Sequence, residues 1–179
     1  MKNFLSKMRG DSQSPPRVSL SEICWSWIGS FLGIISVAFL HYRFIGENGI
    51  MLLIGSFGAS AVLIYGAVRS PLAQPRNVLG GHVISAIIGV AAYQWVGIYP
   101  WLAPAVAVSS AIAVMHLTRT LHPPGGATAL IAVIGGEGVH KLGYMYAFMP
   151  AALGAAIMLL IALIVNNIPK NRKYPEFWI

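Results

Sequence analysis

Between Glu22 and Val165 charge is confined to a few short breaks, and the stretches Ile23 to Tyr42, Val78 to Thr118, Thr120 to Gly136 and Leu142 to Val165 contain no Asp, Glu, Lys or Arg. A helix needs about 20 apolar residues to cross a hydrocarbon core of about 30 Å. Inside that core the backbone finds no water, so an open chain satisfies its N–H and C=O groups by forming helices. The pattern therefore predicts an all-α, polytopic transmembrane helix bundle of about six membrane segments, one of them short. Composition agrees, since 9% of the 179 residues are charged against about 25% in soluble domains.

The predicted order is a tail over residues 1–20, a transmembrane domain over 21–168 and a second tail over 169–179, both tails cytoplasmic. The first apolar run, Ile23 to Leu40, is too long for a signal-peptide core and stays as the first span. Span 1 covers Glu22 to Tyr42, with Ser21 as its cap and Glu22 favourably placed in its first turn. Arg43 and Glu47 make a polar turn. Spans 2, 3 and 4 cover Gly49 to Val68, Val78 to Val96 and Trp101 to Thr118, and span 6 covers Tyr144 to Val165. Segment 5, Gly125 to Gly136, rises only about 18 Å. Either Gly135-Gly136-Glu137-Gly138 or the loop before it must then dip to membrane depth, which irregular backbone does where protein or a wet cavity surrounds it. Six crossings place Lys2, Lys7, Arg9, Arg17, Arg69, Arg76, Arg119, Lys170, Arg172 and Lys173 on the inner side, against Arg43 and Lys141 outside. This bias sets the orientation and accounts for the net charge of +7 without nucleic acid, for which no basic run with interleaved aromatics exists. Lipid is the implied partner, and the location is the inner cell membrane. The small-residue faces of spans 2 and 4 suit a homo-oligomer.

Two breaks fall on the inner side and resemble each other. Each follows a small-residue span ending in Arg (Arg69, Arg119), continues to a polar residue and proline (Gln74-Pro75, His122-Pro123), and opens a helix containing a Gly pair (Gly80-Gly81, Gly125-Gly126). Proline is suited to the first helical turn, with a restart expected at Pro124 or one residue later. Helix N-termini attract anions, and broken helices aimed at anionic groups recur in transporters. If spans 2–3 and 4–5 are parallel repeats, the two starts meet at one anion site. Its candidate residues are Arg69, Gln74, Arg76, Asn77, His82, Arg119, His122, Gly125, Gly126 and Thr128, with Arg76 as a bidentate clamp.

Other roles are open to the same residues. Arg69 and Arg119 equally suit anchors that snorkel to headgroups. His82 and His122 either carry a proton or are structural. Glu137 joins His122 as a candidate for proton coupling if it lies at membrane depth. His41, His116 and His140 suit interfacial or bridging positions. No paired carboxylates, nucleophile elbow or zinc-binding motif argues for an enzyme. Cys24 is the sole cysteine, so no intramolecular disulfide is expected, and neither a metal nor a cofactor is implied.

The chain resembles the HPP family of integral membrane proteins. The likeness is carried by Ser70-Pro71-Leu72-Ala73-Gln74-Pro75-Arg76-Asn77-Val78-Leu79-Gly80-Gly81-His82 and by Leu121-His122-Pro123-Pro124-Gly125-Gly126-Ala127, whose His122, Pro123 and Pro124 form the eponymous motif. It extends over about Ser21 to Pro169. The family is usually described with four spans, fewer than the six read here. The resemblance implies membrane transport, with nitrite the substrate suggested by chloroplast and cyanobacterial relatives. The alternatives are a non-transporting membrane sensor or scaffold, a role that the family's fusions to CBS modules make conceivable, and a membrane-embedded enzyme.

Overall fold

A computed structural model describes residues 2–8, 12–45 and 51–179. Arg9, Glu47 and the expected start of span 2 at Gly49 lie outside the described residues. Among the described residues the fold is built from helices, which form six apolar segments. Three are long and apolar enough to cross a bilayer, Leu20–Phe44, Pro75–Val96 and Gly143–Val165, and three are shorter, Ser56–Gly66, Ala103–Leu117 and Pro123–Ile134.

The first membrane helix, α1 (Leu20–Leu40), starts two residues earlier than expected. Ser19 is its cap, accepting from the Glu22 N–H at 3.2 Å, so Ser21 lies inside the helix. The second segment differs more. Residues 51–54 are not helical, although Leu52 and Ile54 are buried, and the helix α2 begins only at Ser56, running to Ala61 and on through a wider π-type turn to Gly66. Burial among protein atoms lets such backbone persist.

Helices α3 (Pro75–Val96), α4 (Ala103–Leu117) and α5 (Pro123–Ile134) pack on one another. Alanines at 103, 107 and 111, one turn apart on α4, bury a flat face against α3 and α5. The last segment breaks at Met149, whose φ of −134° and ψ of 112° are extended, as the ring of Pro150 demands of the residue before it. It then continues as α6 (Leu153–Val165). Tyr65 locks α6 to α1: its ring lies against Gly29 and Gly33, and its hydroxyl donates to the Met158 carbonyl at 2.8 Å.

Residues 169–176, expected as a tail, fold back onto the bundle. The buried Arg172 guanidinium donates to both Glu22 Oε2 (2.8 Å) and Ser26 Oγ (2.9 Å) of α1, and to the Tyr65 carbonyl at 3.3 Å. Tyr174 is buried, and its hydroxyl donates to the Ala73 carbonyl at 2.7 Å. Burial raises its phenol above the ordinary range, which keeps the hydroxyl a donor. The starts of α1, α3 and α5 and the ends of α2, α4 and α6 thus share one face.

Candidate functional site

The two proline breaks converge. Pro75 and Pro123 each occupy the first helical position, where a missing N–H costs nothing. The second helix therefore restarts at Pro123, one residue before the earliest expected start. Across the gap, Asn77 Nδ2 donates to the Leu121 carbonyl at 2.9 Å, and Arg76 Nη2 donates to the Thr118 carbonyl at 2.8 Å. The helices lie parallel in register, Gly81 against His122 and Gly89 against Ala129. A Cβ on Gly125 would stand 2.7 Å from the Gly81 carbonyl oxygen. This glycine is required for the approach of two backbones rather than for an open seat.

That approach brings a chain of fully buried polar side chains together. Ser60 Oγ, on α2, lies 2.7 Å from His82 Nε2 on α3 and 2.9 Å from His122 Nε2 at the cap of α5. His122 Nδ1 lies 2.7 Å from the Leu72 carbonyl in the first break. His82 Nδ1 lies 2.7 Å from Thr128 Oγ1, which is 2.9 Å from Ser56 Oγ. Tyr146 donates to the Thr128 carbonyl at 3.2 Å. The imidazole centroids are 5.1 Å apart, and Phe57 covers His82 edge-on at 5.2 Å. Ser60, His82, His122 and Thr128 are each 0% exposed.

Of the residues singled out in the sequence, His82, His122 and Thr128 form this cluster, with Gly125 beneath it. The others are held elsewhere. Gln74 donates to the Val68 and Ser70 carbonyls and accepts from the Glu176 N–H. Arg69 donates to the Asn171 carbonyl and pairs with Glu176, beside a cavity of about 420 Å³ on the shared face. Arg119 is exposed at a left-handed turn with φ 57°. Gly126 lines an apolar groove of about 530 Å³ with Val108 and Leu130. Glu137 is exposed and paired with Lys141 at 3.1 Å, on the same short helix as His140. Of the two stretches expected to dip, the His-Pro-Pro loop buries Thr120, His122 and Pro124 but leaves Pro123 exposed, while Gly136, Glu137 and Gly138 are exposed. The sequence reading missed Ser60, Ser56 and Tyr146. Ser56 and Ser60 stand four residues apart, on one face of an apolar helix, and that spacing was a signal for them.

A family profile described as HPP, transmembrane region, matches residues 15–175. The chain belongs to the HPP family. Two transmembrane proteins of Dictyostelium discoideum are similar to this HPP chain, one 51% identical over 98% of the chain and 57% of its own length, the other 47% identical over 94% and 60%. The HPP chain thus spans less than two thirds of the curated relatives it matches. No solved structure matches it.

Proposed function

We propose that this HPP protein carries a small anion across a membrane through the cluster of Ser60, His82, His122 and Thr128, with the Arg69, Arg76 and Arg119 face in the cytoplasm and the inner cell membrane as its location. The observation that carries the reading is the convergence itself: two proline-started helices and the short α2 deliver these buried polar groups to one place. Buried polar residues in membrane segments are costly and mark solute or proton paths, and broken helices form the sites of many transporters. Nitrite enters as substrate through the family resemblance. The test is nitrite uptake by sealed proteoliposomes containing the full chain. Uptake is expected to exceed that of protein-free vesicles. Equal uptake by a monodisperse, folded preparation rejects the proposal.

One geometry favours a second reading. Ser60, His122 and the Leu72 carbonyl are spaced as a nucleophile, a base and the group that orients the base. A second imidazole also holds the same hydroxyl, and its Oγ is fully buried, so transport is the preferred reading over catalysis. Covalent labelling of Ser60 by a fluorophosphonate probe would reverse that preference.

A further inference from the structure

We propose that the cluster binds the anion of a weak acid together with one proton, and that the Ser60 hydroxyl switches between its empty and loaded hydrogen-bonded states. The inference rests on the anion-transport reading above.

The proton order of the empty cluster follows from one acceptor. A carbonyl oxygen cannot donate, so the hydrogen between His122 Nδ1 and the Leu72 carbonyl, 2.7 Å apart, belongs to His122. In a neutral imidazole Nε2 is then a lone pair, and Ser60 must donate to it across 2.9 Å. A hydroxyl has one hydrogen. At its other contact, 2.7 Å long, Ser60 therefore accepts from His82 Nε2–H. His82 Nδ1 in turn accepts the single Thr128 hydrogen across 2.7 Å, in preference to the acceptors Ser56 Oγ at 2.9 Å and the Pro124 carbonyl at 3.3 Å. Every bond points the same way from Thr128 through His82, Ser60 and His122 to Leu72, and the whole chain is neutral.

A bare anion would find no counter-charge there. Among the described residues, the titratable groups facing the pair are the two imidazoles themselves and Tyr146, which bonds the Thr128 carbonyl. The guanidinium of Arg76 donates to the Thr118 carbonyl, that of Arg69 to the Asn171 carbonyl, and that of Arg172 to Glu22. An unpaired charge in a dry interior is prohibitive. One proton resolves the difficulty. It forms an N–H bond at His122 Nε2, Ser60 turns its hydrogen away from that nitrogen, and the freed O–H points to the anion while His122 Nδ1 stays on Leu72. A second proton would put two charged rings 5.1 Å apart, where they repel strongly. On release the new N–H bond breaks and the proton leaves with the anion; nothing is oxidised or reduced. Nitrite, the anion of a weak acid, can share that proton with His122 Nε2, so the loaded site carries no net charge and little charge separation. Nitrate, the anion of a strong acid, would remain an ion pair in a dry interior.

The experiment uses proteoliposomes of the full chain with a lumenal pH dye, membrane potential clamped, and the protein-free leak subtracted. Nitrite is expected to enter with about one proton each, independently of potential, and nitrate to enter far more slowly. Ser60→Ala should lower the initial nitrite rate by about ten- to hundred-fold, the effect of losing a hydrogen bond to a charged group. Ser109→Ala, whose hydroxyl bonds its own helix, should leave the rate unchanged. Nitrite entry driven by potential without lumenal acidification, or nitrate entry at the same rate, overturns the inference and leaves anion transport standing. No nitrite entry at all overturns the transport reading and the inference with it. Should Ser60→Ala fail to fold, ¹⁵N spectra of the wild-type histidines decide. A hydrogen on Nδ1 of His122 and on Nε2 of His82 is expected, and the opposite tautomer in either ring overturns the inference.

Discussion

The Arg76 guanidinium donates to Thr118, the capping residue at the end of α4, and this one contact separates its role from that of a ligand clamp. A single hydrogen bond from an exposed donor contributes about 0.5–1.5 kcal/mol. Arg76→Lys is therefore expected to lower thermal stability by no more than that amount and to leave nitrite uptake unchanged, as measured by melting in detergent and by vesicle uptake. A tenfold loss of nitrite affinity at unchanged stability would return Arg76 to the site. Histidines are conspicuous in an apolar chain, which is why His82 and His122 were legible. Serine is not, because in a run such as Gly58-Ala59-Ser60 it reads equally as a small packing residue. Arg172 escaped for a different reason: a basic residue near a chain end looks solvated, and only the fold brings Glu22 and Ser26 to it.

At the scale of elements, the two breaks were readable because proline and glycine act locally, through a lost donor and a missing side chain. What those glycines do was not readable, since an open anion seat and a close helix crossing both require the absence of Cβ. The structure separates two neighbours. Gly125 faces the backbone of α3, whereas a Cβ on Gly126 would meet only Val108 Cγ1 at 3.8 Å. Gly125→Val should force α3 and α5 apart, with an overpacking cost of about 1–3 kcal/mol or more, seen as a lowered melting temperature or loss of the monodisperse peak on size exclusion. Gly126→Ala should be tolerated and gain slightly from helix propensity. Equal damage from both would mean that the α3–α5 register is not as described. The start of α2 was illegible for a related reason: Met51 to Gly55 is as apolar as the helix that follows, so hydropathy cannot mark where winding begins.

For the whole molecule, six segments with three of them short sit between the four spans usually ascribed to the family and six full crossings. The contacts fix which ends lie together without reference to charge. Arg172 ties the end of α6 to the start of α1, Glu176 reaches Gln74 at the start of α3, and Asn77 reaches Leu121 just before α5. On the opposite side, Tyr93 near the end of α3 stacks on His140 at 3.6 Å. Alternation of direction along the chain then requires six passages from one face to the other, even though α5 alone rises only about 18 Å. Basic residues gather on the first face, so it should be cytoplasmic. In a Cys24→Ser background, Thr118→Cys, exposed at the second break, is expected to resist an impermeant thiol reagent added to intact cells and to react after permeabilisation. Glu137→Cys, exposed beyond α5, should react in intact cells. Labelling of both from outside would put α5 ahead of a re-entrant loop rather than a crossing. Reversal of the two would keep the six passages and invert the orientation, so that the cavity beside Arg69 would open to the exterior.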